Sequence, residues 1–263
     1  MTSSTQPPTT VARSLEGRIA LITGASRGLG RAIAAGFAAA GARLALIGRV
    51  RSNLEAVAEQ LRANDAEVHC FPYDLSRIEG IPELYEWILA ATGEVNILVN
   101  VAGKNFRVPA VDFPLKEWQS VLDLNLTAPF VLSQCFARPL IREGKPGKIV
   151  NIASLMTSAT RPMIPAYTAS KGAIGQLTKA LAVEWAQYRI NVNAVGPGYF
   201  KTELTSPLHQ DPAFNKWVLD RTPMKRWGEP QDLVGAVVFL SSSAADFITG
   251  QILYVDGGWL ANI

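Results

Sequence analysis

Arg18-Ile19-Ala20-Leu21-Ile22-Thr23-Gly24-Ala25-Ser26-Arg27-Gly28-Leu29-Gly30 decides how this chain is read. An apolar run of strand length ends in three clustered glycines, and the alanine-rich stretch Leu29–Ala40 follows. Glycines let a chain turn sharply and bring its backbone N–H groups close to a ligand. A helix that starts behind them points the positive end of its dipole at the same place. Strand, glycine turn and helix in that order make a phosphate-binding turn. A glycine cluster without those flanks would mark only a tight loop.

The pattern repeats outward. Apolar runs at Arg18–Thr23, Arg43–Ile47, Glu67–Phe71, Asn96–Asn100, Lys148–Ile152, Ile190–Val195 and Gln251–Val255 show no strict alternation, as in strands buried on both faces. Amphipathic stretches lie between them, including Leu29–Ala40, Ser52–Ala63, Leu115–Arg142 and Ala166–Gln187. The alternation predicts an α/β protein: a Rossmann-type doubly wound seven-stranded parallel sheet with helices on both faces. Ligands of such sheets bind beyond the carboxyl ends of the strands. Met1–Ser14 is rich in Ser, Thr and Pro and is expected to be a flexible tail. It lacks the apolar segment of a secretory signal. No change of composition divides residues 15–263, which read as a single dinucleotide-binding catalytic domain.

Composition narrows the partners. Apolar residues make up 48% of the 263 and charged residues 18%, enough for a packed core and unlike a disordered chain. The 25 basic and 22 acidic residues leave +3 with no basic stripe, so no nucleic-acid partner is expected. No apolar run reaches the roughly 20 residues of a membrane helix, so a cytoplasmic protein without a membrane partner is expected. Cys70 and Cys135 stand far apart in apolar surroundings, which suits reduced thiols. With His69 and His209 also lacking ligand partners, no metal site is expected.

The dinucleotide can be read from charge. NAD sites of this kind carry an acid at the end of the second strand for the ribose 2′-hydroxyl. Here that strand ends in Gly48-Arg49. Arg49, with Arg27 of the glycine turn, suits a 2′-phosphate through charge-assisted bidentate bonds, where a carboxylate would repel it. NADP is therefore expected in preference to NAD.

Tyr167 is the only one of six tyrosines with a lysine four residues on, Lys171, which places both on one helix face. A phenol titrates near pH 10 and is a poor base at neutral pH. A neighbouring ammonium favours the phenolate, making Tyr167 a general base in oxidation and a general acid in reduction. Ser154, 13 residues earlier and just after the fifth strand, is suited to hydrogen-bond the substrate oxygen.

With Asn125, these residues and the G-x-x-x-G-x-G turn resemble the short-chain dehydrogenase/reductase family, in its branch of about 250 residues, over residues 15–263. The resemblance implies a catalytic tetrad of Asn125, Ser154, Tyr167 and Lys171. In it Lys171 also holds the nicotinamide ribose and Asn125 holds a water of a proton relay. It implies that Gly24, Ser26, Arg27, Gly28, Leu29 and Gly30 meet the cofactor phosphates, and that Asp74 and Leu75 meet the adenine. Asn100-Val101-Ala102-Gly103 is similar to the family's Asn-Asn-Ala-Gly, with valine for the second Asn; Asn100, Ala102 and Gly103 are then cofactor residues. So are Pro197, Gly198, Phe200 and Thr202, from a segment similar to P-G-x-x-x-T.

For the substrate the signal is charge again. Lys104, Arg107, Arg161 and Lys201 follow strands, and residues 199–227 form an insertion suited to a lid. Such a collar favours an anion such as a sugar acid, with Arg107 as the carboxylate contact. The segments Thr222–Pro230 and Gly250–Leu260 resemble gluconate 5-dehydrogenases, which interconvert D-gluconate and 5-keto-D-gluconate. The alternatives are a 2-deoxy-gluconate 3-dehydrogenase, a 3-oxoacyl carrier-protein reductase and, in another class, a non-catalytic NADP-binding sensor. A sensor should have lost a tetrad residue. The resemblance also implies a homotetramer, with Trp259-Leu260 expected at an interface.

Overall fold

The computed structural model describes residues 13–262. The tail expected at Met1–Ser14 lies outside the described residues except for Arg13 and Ser14, which belong to a turn running to residue 17. Seven strands form: β1 (Ile19–Thr23), β2 (Arg43–Gly48), β3 (Val68–Pro72), β4 (Ile97–Asn100), β5 (Gly147–Ile152), β6 (Ile190–Pro197) and β7 (Ile252–Val255). They pair in the order β3-β2-β1-β4-β5-β6-β7, and every neighbouring pair is parallel. The predicted sheet is present, and its strand order reverses between β1 and β4.

The helices are α1 (Gly28–Ala39), α2 (Arg51–Arg62), α3 (Ile81–Thr92), α4 (Leu115–Leu122), α5 (Ala128–Glu143), α6 (Pro165–Trp185), α7 (Ser206–His209), α8 (Pro212–Arg221) and α9 (Pro230–Ser241). They cover both faces, which explains the unbroken apolar strands. Ala20 and Ile22 of β1 face Ile33 and Phe37 of α1 and Val237 of α9. Ile19 and Leu21 face Leu84 and Ile88 of α3 and Phe136 of α5. Successive residues of one strand thus enter two different cores.

One expected element is different. The amphipathic stretch Leu115–Arg142, expected to form one long helix, is divided: α4 and α5 are separated by a wide π-turn at Asp123–Thr127. Pro129 has no N–H to give the Asn125 carbonyl, its partner in a continuous α-helix. Ala128 donates to Asp123, five residues back. Asn125 therefore lies in a local irregularity of a kind that recurs at functional sites.

Candidate active site

At the switch point the Thr23 hydroxyl accepts from the N–H groups of Val101 (2.9 Å) and Ala102 (3.0 Å), tying the loop after β4 to the end of β1. That brings two backbones together. A Cβ on Gly24 would lie 3.0 Å from the Ala102 Cα, and Gly24 has φ +64°. A Cβ on Gly30 would lie 2.2 Å from the Gly24 carbonyl oxygen, so the first turn of α1 closes only with glycine there.

The groove above this cradle has a volume of about 350 Å³. Its walls include Ser26, Gly28 and Leu29 from the turn, Asp74 and Leu75 after β3, and Gly103 after β4. Thr202 reaches it from the lid side, and Arg27 and Arg49 also line it. Neither arginine has an ion pair among the described residues. A long groove, a glycine cradle at a helix N-terminus and two free guanidinium groups fit a dinucleotide carrying an extra phosphate.

The tetrad residues come together at the next strand. The Ser154 N–H donates to the Thr157 hydroxyl (3.3 Å), and that hydroxyl donates to the Lys171 carbonyl (2.9 Å), so the turn after β5 is pinned to α6. Lys171 is buried, and its Nζ donates to the Ile152 carbonyl at 2.6 Å. Burial pulls its ammonium down to about 8. The Lys171 Nζ lies 5.7 Å from the centroid of the Tyr167 ring. Burial pushes the Tyr167 phenol up, while the Ser154 hydroxyl and the charges of Arg107 and Arg161 pull it the other way.

Asn125 is held by three side-chain hydrogen bonds. Its Oδ1 accepts from the Lys104 N–H, and its Nδ2 donates to the Lys104 carbonyl, both at 2.9 Å. Nδ2 also donates to the Ser170 hydroxyl (3.1 Å). The amide braces the loop after β4 against α6.

The substrate side is a cleft of about 80 Å³ lined by Ser154, Tyr167, Pro197 and Gly198 with Arg107, Arg161 and Asn105. Burial and then the like charge of Arg161 hold the Arg107 guanidinium below its ordinary pKa. Two cations thus share one cleft, and neither has an acidic partner among the described residues. The cleft is closed by the 199–227 segment, which carries α7 and α8. Tyr199 packs edge-on against Phe214, Trp217 and Trp227 with centroids 5.6–5.9 Å apart. Arg161 stacks over the Phe214 ring at 5.1 Å, so one wall of the cleft rests on the lid.

Several expected contacts lie elsewhere. Asn100 is buried in the sheet, where its amide donates to Asn151 (2.9 Å), and it does not line the groove. The buried Phe200 borders a separate cavity near Gly228 and Asp256. Lys201 pairs with Glu229 (2.6 Å), and Lys104 with Ser120 and Glu117, so two of the four collar cations are engaged away from the cleft. Trp259 is buried within this chain against Tyr199 and Trp217, both at 4.9 Å. Thr23, Asn105, Phe214 and Glu203 were not singled out by sequence reasoning. A lone polar or aromatic residue carries no spacing signal.

The family model described as Enoyl-(Acyl carrier protein) reductase matches residues 24–260. The chain belongs to the short-chain dehydrogenase/reductase family. As a short-chain dehydrogenase/reductase it is an oxidoreductase of the NAD(P)-dependent alcohol dehydrogenase and ketoreductase type. It is 41% identical over 250 residues to 5-keto-D-gluconate 5-reductase of Escherichia coli (strain K12), covering 95% of this chain and 98% of that protein. It is 44% identical over 248 residues to 2-dehydro-3-deoxy-D-gluconate 5-dehydrogenase of Dickeya dadantii (strain 3937), covering 94% and 97%. The structure of a gluconate 5-dehydrogenase from Burkholderia cenocepacia J2315, in complex with NADP and tartrate, is similar with a TM-score of 0.92 at 38% identity. That match covers 97% of this chain and all of that one.

Proposed function

We propose that this short-chain dehydrogenase/reductase is an NADP-dependent oxidoreductase of sugar acids that interconverts D-gluconate and 5-keto-D-gluconate. The observation that carries the reading is the pair Arg107 and Arg161. Two guanidinium groups with no acidic partner among the described residues share a cleft with Ser154 and Tyr167, an arrangement completed by an anionic substrate. The relatives named above, all sugar-acid enzymes by name, support the same class.

In this reading Arg107 takes the carboxylate and Ser154 hydrogen-bonds the oxygen of the reacting carbon. Tyr167 removes that hydroxyl's proton in oxidation and returns it in reduction. Arg107 and Arg161 offset part of the cost that burial places on its phenolate. NADP, when bound, supplies or accepts the hydride. Gly24 to Gly30 and the α1 N-terminus hold its phosphates, Arg27 and Arg49 its 2′-phosphate, and Asp74 and Leu75 its adenine end. Ala102, Gly103, Pro197, Gly198 and Thr202 border the rest, and Lys171 orients the ribose. Asn125 acts by bracing the loop that carries Asn105 and Arg107.

Residues 15–263 work as one catalytic unit in this reading, in the cytoplasm, as a homotetramer. Exposed apolar side chains on α4 and α6, Leu115 (79%) and Val183 (82%), support self-association. No helix among the described residues is long and apolar enough to cross a membrane.

The test is a spectrophotometric panel that follows NADPH. Gluconate, 2-deoxy-gluconate, glucose and simple secondary alcohols are tried with NADP⁺ and NAD⁺, and 5-keto-D-gluconate and a 3-ketoacyl thioester with NADPH. Turnover of the gluconate pair with NADP is expected. A preference for the thioester, or for neutral alcohols, would refute the assignment.

A further inference from the structure

We propose that Asn105 is a specificity-determining residue that accepts a hydrogen bond from a substrate hydroxyl next to the reacting carbon. The proposal rests on the sugar-acid reading above and adds a second recognition point to it.

The Asn105 Oδ1 is buried and has no hydrogen-bond partner among the described residues. Buried polar groups nearly always find one, so an orphan in a cleft wants a reason. Asn105 borders both the dinucleotide groove and the cleft of Ser154 and Tyr167. The loop that carries it is anchored on both sides. Lys104 before it is clamped through N–H and carbonyl by Asn125. Phe106 after it stacks edge-on with Phe113 at 5.6 Å. The Val108 N–H donates to the Met163 carbonyl at 3.1 Å, closing the loop against the far wall. The backbone that carries Asn105 is therefore fixed at the wall of the cleft, and its amide oxygen has no donor among the described residues.

The chemistry of that donor follows from its neighbours. Arg107, two residues along, supplies a cation for a carboxylate, and Ser154 and Tyr167 meet the reacting oxygen. An acceptor fixed among these groups suits a further O–H on the same molecule. One short loop then reads two features of a polyhydroxy acid: charge at Arg107 and a hydroxyl at Asn105. A site built to bond a hydroxyl strongly rejects an analogue without it, because the buried acceptor stays unpaired. A plain secondary alcohol, or an acyl chain, would leave Asn105 orphaned.

The experiment measures kcat/KM of the full-length wild type, Asn105→Leu and Asn105→Ser with NADP⁺. The substrates are gluconate and its 4-deoxy and 6-deoxy analogues, which lack one hydroxyl beside the carbon that reacts. In the wild type one deoxy acid is expected to be poorer than gluconate by about 10- to 100-fold. Asn105→Leu should bring gluconate down to the level of that analogue and leave the analogue within about threefold of wild type. Asn105→Ser, which keeps an acceptor, should retain part of the discrimination, and KM for NADP⁺ should not move. An equal loss on every substrate, a raised KM for NADP⁺, or undiminished discrimination in Asn105→Leu would overturn the proposal. Those results leave the parent reading standing as long as wild type turns over gluconate. A wild type inactive on sugar acids would overturn both.

Discussion

The Lys171 Nζ lies 5.7 Å from the centroid of the Tyr167 ring and gives a 2.6 Å hydrogen bond to the Ile152 carbonyl at the end of β5. The lysine is thus anchored to the sheet beside the tyrosine ring. Burial in this position is unfavourable for an ammonium, so the fold carries a functional residue at a cost in stability.

That cost has a definite pH signature. Lys171 titrates at about 8 in the folded protein and near 10.5 when unfolded. Between those values the unfolded chain still holds a proton that the folded one has released, so this group adds stability as pH rises from 8 to 10.5. Below pH 8 both states are protonated and the full penalty applies. A shift of this size corresponds to about 3 kcal/mol. Denaturant unfolding of wild type and Lys171→Met at pH 7.5 and pH 10 should show the difference moving toward wild type at the higher pH, by up to about 3 kcal/mol. A difference that does not change with pH would contradict it.

Arg27 and Arg49 line the groove without acidic partners among the described residues. Removing either should therefore cost the extra phosphate of NADP and little else. For Arg49→Ala, fluorescence titration should give a Kd for NADPH about 10- to 100-fold weaker, with NADH binding almost unchanged. Equal losses for the two cofactors would remove the 2′-phosphate from the account.

Glu203 supplies a charge of the wrong sign. Its Oε2 would lie 3.3 Å from a Cβ on Gly28, so the carboxylate hangs over the turn where phosphates are expected. An exposed carboxylate this close repels an anion modestly. Glu203→Gln should bind NADPH roughly three- to tenfold more tightly at low salt, with the gain shrinking as salt rises. Calorimetry or fluorescence showing weaker binding would mean that Glu203 supports the site.

Arg161 rests on Phe214 of the lid at 5.1 Å. Substrate charge and lid position are thereby linked. Arg161→Gln should raise KM for gluconate about tenfold or more and leave KM for NADP⁺ alone. Phe214→Leu should raise the same KM by a smaller factor, and the double variant should lose less than the two single losses combined. Strictly additive losses would show that the stacking carries no coupling.

Much of the fold was legible because it rests on repeated signals. Seven strands buried on both faces leave seven apolar runs, and each begins and ends within two residues of its predicted place. Gly24 and Gly30 were legible for a backbone reason, since close approach leaves no room for a Cβ, and Gly28 because its φ of +53° favours glycine. Tyr167 and Lys171 were legible through helix periodicity. The break between α4 and α5 was not, because apolar periodicity runs straight across it; Pro129 was the available sign. Whether a charge is free depends on which partner the fold brings beside it. Lys201 and Arg161 look alike in sequence, yet Glu229 takes the first and no acid meets the second among the described residues. The Asn105 oxygen shows its lack of a donor only once the loop around it is folded.

The most direct measurement is NADPH formation from gluconate by Tyr167→Phe, with NADPH binding followed by fluorescence on the same preparation. The phenol is the only group assigned the proton transfer, so loss of its hydroxyl should reduce turnover by about a thousandfold or more and leave NADPH affinity within about twofold of wild type. A variant that keeps most of its gluconate activity would contradict the account.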